Sequence, residues 1–497
     1  LQGLALDLPA PARKEADAVL PLRLLMTPTA SGRDELRLEI GSTAAPLLQA
    51  QLQRDVSGAS SRVLRGAIAL QDRLPALPAT GVLLQASTPQ LDLDAWQQRL
   101  AALGTPAATP AGGLDELADL SQAGLLPSQI LLRTQALKVG GRALGRVQAQ
   151  IARDGSNWRL DLDAEHLAGR IELRGVNMSR GGSQVDQVRA RLTRLQLPKQ
   201  EADSVSQLID PTANAGTSPL PALDIEVDDF ELRGKRMGRL EVQAQVPAGA
   251  REWKLDKLLL SSPDATLSAS GRWGATLSGR RRTELDWKLD VVDAGKLMER
   301  LGQGQVLRGG KGQLHGQLGW TGSPLDPHYP SMAGSLNLQL DTGTFLKAEP
   351  GVGRLLGVLS LQSLPRRLLL DFRDVFAEGF TFDGVTGDVK VDGGIARSDN
   401  IRIRGLQATV LVDGSADLAQ ETQKLRVVVV PEVSASASLA YAAINPAIGL
   451  GAFLAQWLLS RPVSAASTRE FLITGSWDDP KVDKLDKPEL PASAASK

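Results

Sequence analysis

The chain has no cysteine, only three histidines in 497 residues, 4% aromatic residues and no net charge, with 56 Lys plus Arg against 56 Asp plus Glu. Without cysteine there is no disulfide, zinc knuckle or thiol nucleophile, and a cysteine-free chain suits an oxidising compartment as well as a reducing one. His166, His315 and His328 stand apart, none at the HxxxH or HExxH spacing of a zinc hydrolase. Balanced charge argues against nucleic acid as a partner, which needs a basic face, and scarce aromatics argue against a base-stacking platform. No GxSxG occurs. The run GQGQVLRGGKG fails as a phosphate loop, because Gln305 stands where the first glycine is needed and Gly312 where Ser or Thr is needed. Arg280, Arg281 and Arg282 read as a solvated turn. Asp92 with Asp94, and Asp161 with Asp163, read as outward-facing strand residues. The sequence offers no catalytic constellation, no metal site and no cofactor. It begins at Leu1 in a strand-like phrase, without a signal peptide, and reads as the C-terminal part of a longer protein.

What the chain does have is glycine, 49 residues, proline, 28, and a period of two. The pattern is clearest at 351–430. A short helix is expected first, Gly351 to Ser363, from Val352, Leu355, Leu356 and Leu359; Pro365 ends it. Leu368, Leu370 and Phe372 then share one strand face, Val385, Val389 and Val391 another, and Ile401 and Ile403 a third. Asp383-Gly384, Asp392-Gly393 and Asp413-Gly414 read as the turns between them.

Taken in order, residues 1–104 read as strands ending in a short helix, 105–124 as a flexible insertion, 125–198 as a β module and 199–219 as a second insertion. Residues 220–350 read as further β modules with a helix near 293–302, and 351–430 as the helix and meander above. An apolar helical end covers 431–466, a closing strand 467–485 and a disordered tail 486–497. Two phrases repeat. LDLDAWQQRLAALG, 91–104, returns as LDVVDAGKLMERLG, 289–302, with Asp94 expected as the first N-cap. ALKVGGRALGRVQAQI, 136–151, returns 93 residues later as DFELRGKRMGRLEVQAQV, each copy followed by a tryptophan strand. Val433 to Ser460 carries no charge, but Pro446 divides it, and its second half would make a helix of only about 20 Å. It reads as an end that caps the sheet or dips into lipid, with Ile448, Leu450, Phe453, Leu454, Trp457 and Leu458 as membrane-contact candidates.

Helices this few cannot cover one apolar face on every strand. Either the sheet curls into an apolar trough or two such faces pair in a sandwich, and alternation alone leaves both open. About two dozen strands at ~4.8 Å each would make a trough of roughly 100 Å. Lipid fits such a trough, since carrying roughly 30 methylenes through water costs on the order of 24 kcal/mol. The lining candidates are Leu368, Leu370, Phe372, Val385, Val389, Val391, Ile401 and Ile403.

GVGRLLGVLSLQSLPRRLLLDFRDVFAEGFTFDGVTGDV resembles the C-terminal hallmark of the YhdP family, in the AsmA-like superfamily of bacterial envelope proteins. LPALDIEVDDFELRGKRMGRLEVQA resembles its strand module, and the PEVSA phrase, GAFLAQWLL and FLITGSWDDPKV resemble its ending. The resemblance covers most of 120–485, and 1–100 more loosely. It implies a mainly β fold: an elongated, twisted, curled, antiparallel-rich β-sheet forming a groove, with few short helices and a C-terminal apolar helix. It further implies a non-enzymatic periplasmic protein, anchored to the inner membrane by an N-terminal span outside this chain. Its partners would be phospholipid, the inner and outer membrane surfaces and envelope proteins. An envelope scaffold that binds proteins through sheet edges and end helices is the alternative.

Overall fold

The computed structural model describes residues 3, 5–42, 44–58, 61–103, 124–179, 182–199, 221–247, 252–275, 281–303, 306–324, 326–346, 379–406, 408–431 and 469–485. The expected 351–363 helix, the strand at Leu368, Leu370 and Phe372, the run 433–460, nearly all of both insertions and the tail lie outside these residues. The chain divides into two compact units, one of Leu1–Leu197 with Gly216–Phe230, the other of Pro198–Ala215 with Glu231–Lys497.

In the first unit β1 (Leu22–Ala30), β2 (Arg33–Gly41), β3 (Pro46–Asp55) and β4 (Arg62–Leu70) form an antiparallel meander. β5 (Gly81–Asp92) runs parallel to β4, and β6 (Gln129–Val139) parallel to β5. Antiparallel order resumes through β7 (Arg142–Asp154), β8 (Asn157–Ala164) and β9 (Leu167–Arg174). A small hairpin, β10 (Asn177–Ser179) with β11 (Gly182–Gln184), precedes β12 (Gln187–Leu197), which pairs with β9. Next comes β13 (Ala222–Leu232), whose Asp224 accepts from Arg191 Nη2 at 2.9 Å on both carboxylate oxygens.

In the second unit β14 (Lys235–Gln245), β15 (Glu252–Ser261), β16 (Ala265–Ala275) and β17 (Arg281–Val291) form a meander. β18 (Leu307–Gly309) and β19 (Gly312–Thr321) both pair with β20 (Ala333–Phe345), and β19 also with β17. β21 (Phe380–Asp392), β22 (Ile395–Gly405), β23 (Ala408–Asp417), β24 (Thr422–Pro431), β25 (Arg469–Ser476) and β26 (Pro480–Leu485) continue in sequence order. The molecule is thus mainly β, twisted and antiparallel-rich as expected, with short helices. The two parallel pairings are invisible to a pattern of alternation, which has no direction.

The repeated helix phrases do the same job in each unit. In α1 (Leu93–Leu103) Asp92, not Asp94, caps the helix, accepting Ala95 N–H at 2.9 Å. Leu93 is already helical, so the cap lies two residues further back. Asp94 instead accepts the N–H groups of Gly140 and Gly141 at 2.6 and 2.7 Å, tying α1 to the next hairpin. In α2 (Ala294–Arg300) Asp293 caps Lys296 N–H, and Arg300 donates to the carboxylate of Asp264 at 2.6 Å. The repeated strand glycine also has a cause. Gly238 lies at φ +94°, and a Cβ there would sit 2.2 Å from the Ser261 carbonyl oxygen.

Of the three expected Asp-Gly turns only Asp392-Gly393 is one. Asp383-Gly384 lies inside β21 at a register shift, and Asp413-Gly414 inside β23, where a Cβ on Gly414 would meet Lys424 O at 2.2 Å. Glycine there serves a bulge and a close backbone approach. A second irregularity of the β21–β22 pair is held by side chains. Asn337 and Asn400 each donate to one oxygen of Asp388 at 2.8 Å, and Asp388 N–H donates to Asn400 Oδ1 at 2.9 Å. The Asn337 and Asn400 amides hold the Asp388 carboxyl below the usual carboxylate range. A depressed folded-state pKa contributes stability above the unfolded value and loses it as pH falls through the folded one. The gap in melting temperature between wild type and Asp388→Asn is therefore expected to shrink between pH 7 and pH 3. A gap that stays constant over that range would rule the clasp out.

Candidate functional site

Cross-strand register places apolar side chains opposite one another from strand to strand. In the first unit one row runs through Leu24, Leu38, Ala50, Ile68 and Leu84. It continues through Ile130, Ile151, Leu160, Ile171 and Ala190. On the opposite face Gln150, Asp161, Arg170 and Arg191 line up in the same way. In the second unit Leu240, Leu260, Leu267, Leu289, Leu314 and Leu338 make one row. Beside it run Val242, Leu258, Ala269, Trp287, Gly316, Leu336 and Val389. One residue away, on the other face, stand Ser268, Lys288, His315, Asn337 and Asp388.

Most of these apolar residues are half-buried: Leu38, Ile68, Leu84, Ile130, Ile151, Leu160 and Ile171 in one unit, Leu289, Leu314, Leu336 and Leu338 in the other. A second sheet packed on the face would bury them fully. The face is instead bordered at the strand ends. In the first unit Trp96 of α1 packs with Leu91, Leu132, Leu137 and Val147. In the second, α2 places Ala294 and Leu297 against Val291, Leu307 and Phe345. The other border of that unit is aromatic. Trp253 and Trp273 lie 5.0 Å apart, Trp273 Nε1 donates to Gly322 O, and Trp320 Nε1 donates to Ser323 O. Arg281, expected in a solvated turn, stacks 4.5 Å over the Trp273 ring.

Val385, Ile401 and Ile403 fall on this apolar face, in one cluster with Val410, Val412 and Val429; Val389 and Val391 join Trp320 and Met332. Val385, Val391 and Ile403 are only 2%, 6% and 1% exposed. Val389 and Ile401 are half-buried, and the half-open part of the face continues from them through Leu289, Leu314, Leu336 and Leu338, whose strands alternate as plainly. Leu368, Leu370 and Phe372 lie outside the described residues, as do Ile448, Leu450, Phe453, Leu454, Trp457 and Leu458.

The polar face is a lattice of exposed ion pairs. Lys257 and Arg239 hold the Glu241 carboxyl below its ordinary range, and Arg272 and Arg282 do so for Glu284. Such pairs each contribute about 0–1 kcal/mol, so they keep the face hydrated more than they stabilise it. Burial pushes Asp413 up despite the neighbouring Arg426. Among the described residues no cluster of His, Asp and Glu could hold a metal, and no helix is long and apolar enough to cross a membrane.

The protein-family profile described as YhdP protein matches residues 1–482. The chain belongs to the YhdP family. It is similar to the intermembrane phospholipid transporter YhdP of Escherichia coli (strain K12), with 29% identity over 267 residues, 53% of this chain and 21% of that protein. The chain thus spans about a fifth of the length of that YhdP relative. This member of the family presents, in each unit, an apolar surface on one side of its strands and a polar, charged one on the other.

Proposed function

We propose that the chain is a non-enzymatic stretch of a lipid conduit, along which phospholipid passes between the inner and outer membranes of a Gram-negative envelope. The observation that carries this reading is the half-open apolar row, strand after strand, in each unit. Acyl chains laid on it exchange water for leucine and isoleucine, gaining about 0.8 kcal/mol per methylene buried. The similarity to an intermembrane phospholipid transporter supports phospholipid as the cargo. On this reading the chain works in the periplasm, tethered to the inner membrane by a span outside it. Ile448, Leu450, Phe453, Leu454, Trp457 and Leu458 meet a membrane surface; Val389 and Ile401 line the path with Leu289, Leu314, Leu336 and Leu338, as Leu368, Leu370 and Phe372 do, while Val385, Val391 and Ile403 pack beneath it.

Photocrosslinking tests the reading at single-residue resolution. A photoreactive residue at Leu289, Leu314 or Leu336 is expected to capture labelled phospholipid, whereas one at Lys288, His315 or Asn337 is not. Capture of protein instead of lipid at the leucine positions would favour an envelope scaffold. Equal capture at both sets would remove the case for an apolar path.

A further inference from the structure

In the first unit residues 11, 13–15, 18–20, 44–47 and 71–73 line an open cavity of about 780 Å³ at one end of β3 and β4. Arg13, Lys14 and Arg73 line it with Glu15 and Asp72, leaving one net positive charge. Lys14 is only 6% exposed, and its ammonium donates to Glu15 O at 2.9 Å. Lysine is seldom buried so far without a polar role. Glu15 pairs with Arg13 at 3.3 Å. Arg73 makes no ion pair among the described residues; its backbone N–H donates to Asp72 Oδ1 at 2.8 Å. The remaining wall is apolar, with Val19, Leu20 and Leu47. Leu47 and Gln71 directly adjoin Leu48 and Leu70, which pair in register and continue to Ile40 and Leu22. A cationic cavity therefore opens where an apolar row begins.

We propose that this cavity seats the phosphate of a glycerophospholipid, with Lys14 and Arg73 as its donors, while the acyl chains lie along Leu70, Leu48, Ile40 and Leu22. The size is ample for a phosphate headgroup, and a phosphate accepts charge-assisted hydrogen bonds from both cation types. The inference rests on the lipid-conduit reading and adds to it a polar docking point at the edge of the path.

The test is calorimetric titration of the full chain with dihexanoylphosphatidic acid, with dihexanoylglycerol, which has the same acyl chains and no phosphate, and with inorganic phosphate. Arg73→Gln, on an exposed loop, is expected to weaken phosphatidic acid about tenfold and to leave dihexanoylglycerol unchanged, and Lys14→Gln to weaken it about tenfold more. Circular dichroism melting checks that Lys14→Gln folds; Arg73→Gln decides the matter if it does not. Phosphatidic acid bound equally by wild type and variants, with dihexanoylglycerol also bound, overturns the headgroup site and leaves the conduit standing. If wild type binds neither lipid, the conduit reading fails. Inorganic phosphate then decides the cavity: binding lost in Arg73→Gln supports an anion site for free phosphate, and no binding overturns it.

Discussion

Leu314→Asp combined with Leu338→Asp is expected to stop phospholipid capture by the chain while leaving the sheet folded. The two leucines face each other across β19 and β20 in the half-open row. With the path empty, a carboxylate at either position keeps much of its water, so the folding cost is set by lost leucine burial and by repulsion between two charges directly opposite, each term of order 1 kcal/mol. With an acyl chain in the path that water must leave. Dehydrating an unpaired carboxylate costs several kcal/mol, and about 1.4 kcal/mol is a factor of ten. Capture should therefore fall by about a hundredfold or more. Lys288→Asp and Gln339→Asp place the same charge on the polar face, one residue from Leu289 and Leu338, and should change capture little. Fluorescent phospholipid titrated into the purified chain measures all three variants. Undiminished capture by the leucine double variant would mean that lipid does not travel on this face.

The alternation of Leu, Ile and Val with charged residues made the two-faced sheet legible, because a strand turns its side chains to opposite sides at every step. The starts of α1 and α2 were legible too, since aspartate satisfies free N–H groups at a helix start, although Asp92 and not Asp94 caps α1. Four things were not local enough to read. Asp383-Gly384 and Asp413-Gly414 have turn chemistry, yet their glycines answer to neighbouring strands, Lys424 in one case. The parallel pairing of β4, β5 and β6 depends on how the chain crosses over, which periodicity does not record. The degree of cover over each apolar residue depends on packing from distant elements. Val385 and Ile403 share their alternating pattern with Leu314 and Leu338, yet they are almost fully enclosed. The cavity at Lys14 and Arg73 joins three segments whose residues carry no motif, so nothing in the sequence marked it.

The difference between enclosed and half-open parts of one face should be measurable as stability. Phe382 is 0% exposed; its ring lies 5.0 Å from that of Phe345 and so close over Gly343 that a Cβ there would come within 2.6 Å of it. Gly343 stands opposite it on β20, and the missing side chain is the space the ring fills. Phe382→Ala would leave a void walled by Phe345, Val385 and Ile403, and such truncations cost about 3–5 kcal/mol. Leu336→Ala removes a comparable apolar group from a surface already half in water, so its cost is expected near 1 kcal/mol, below the range for a closed core. Urea denaturation of the two variants gives the comparison directly. If the face were covered alike throughout, both truncations would cost the same, and the leucine rows could not serve as an open path. A large gap, with Phe382→Ala the costlier, would mean that one part of the face is spent on holding the strands together and the other is left free for an acyl chain.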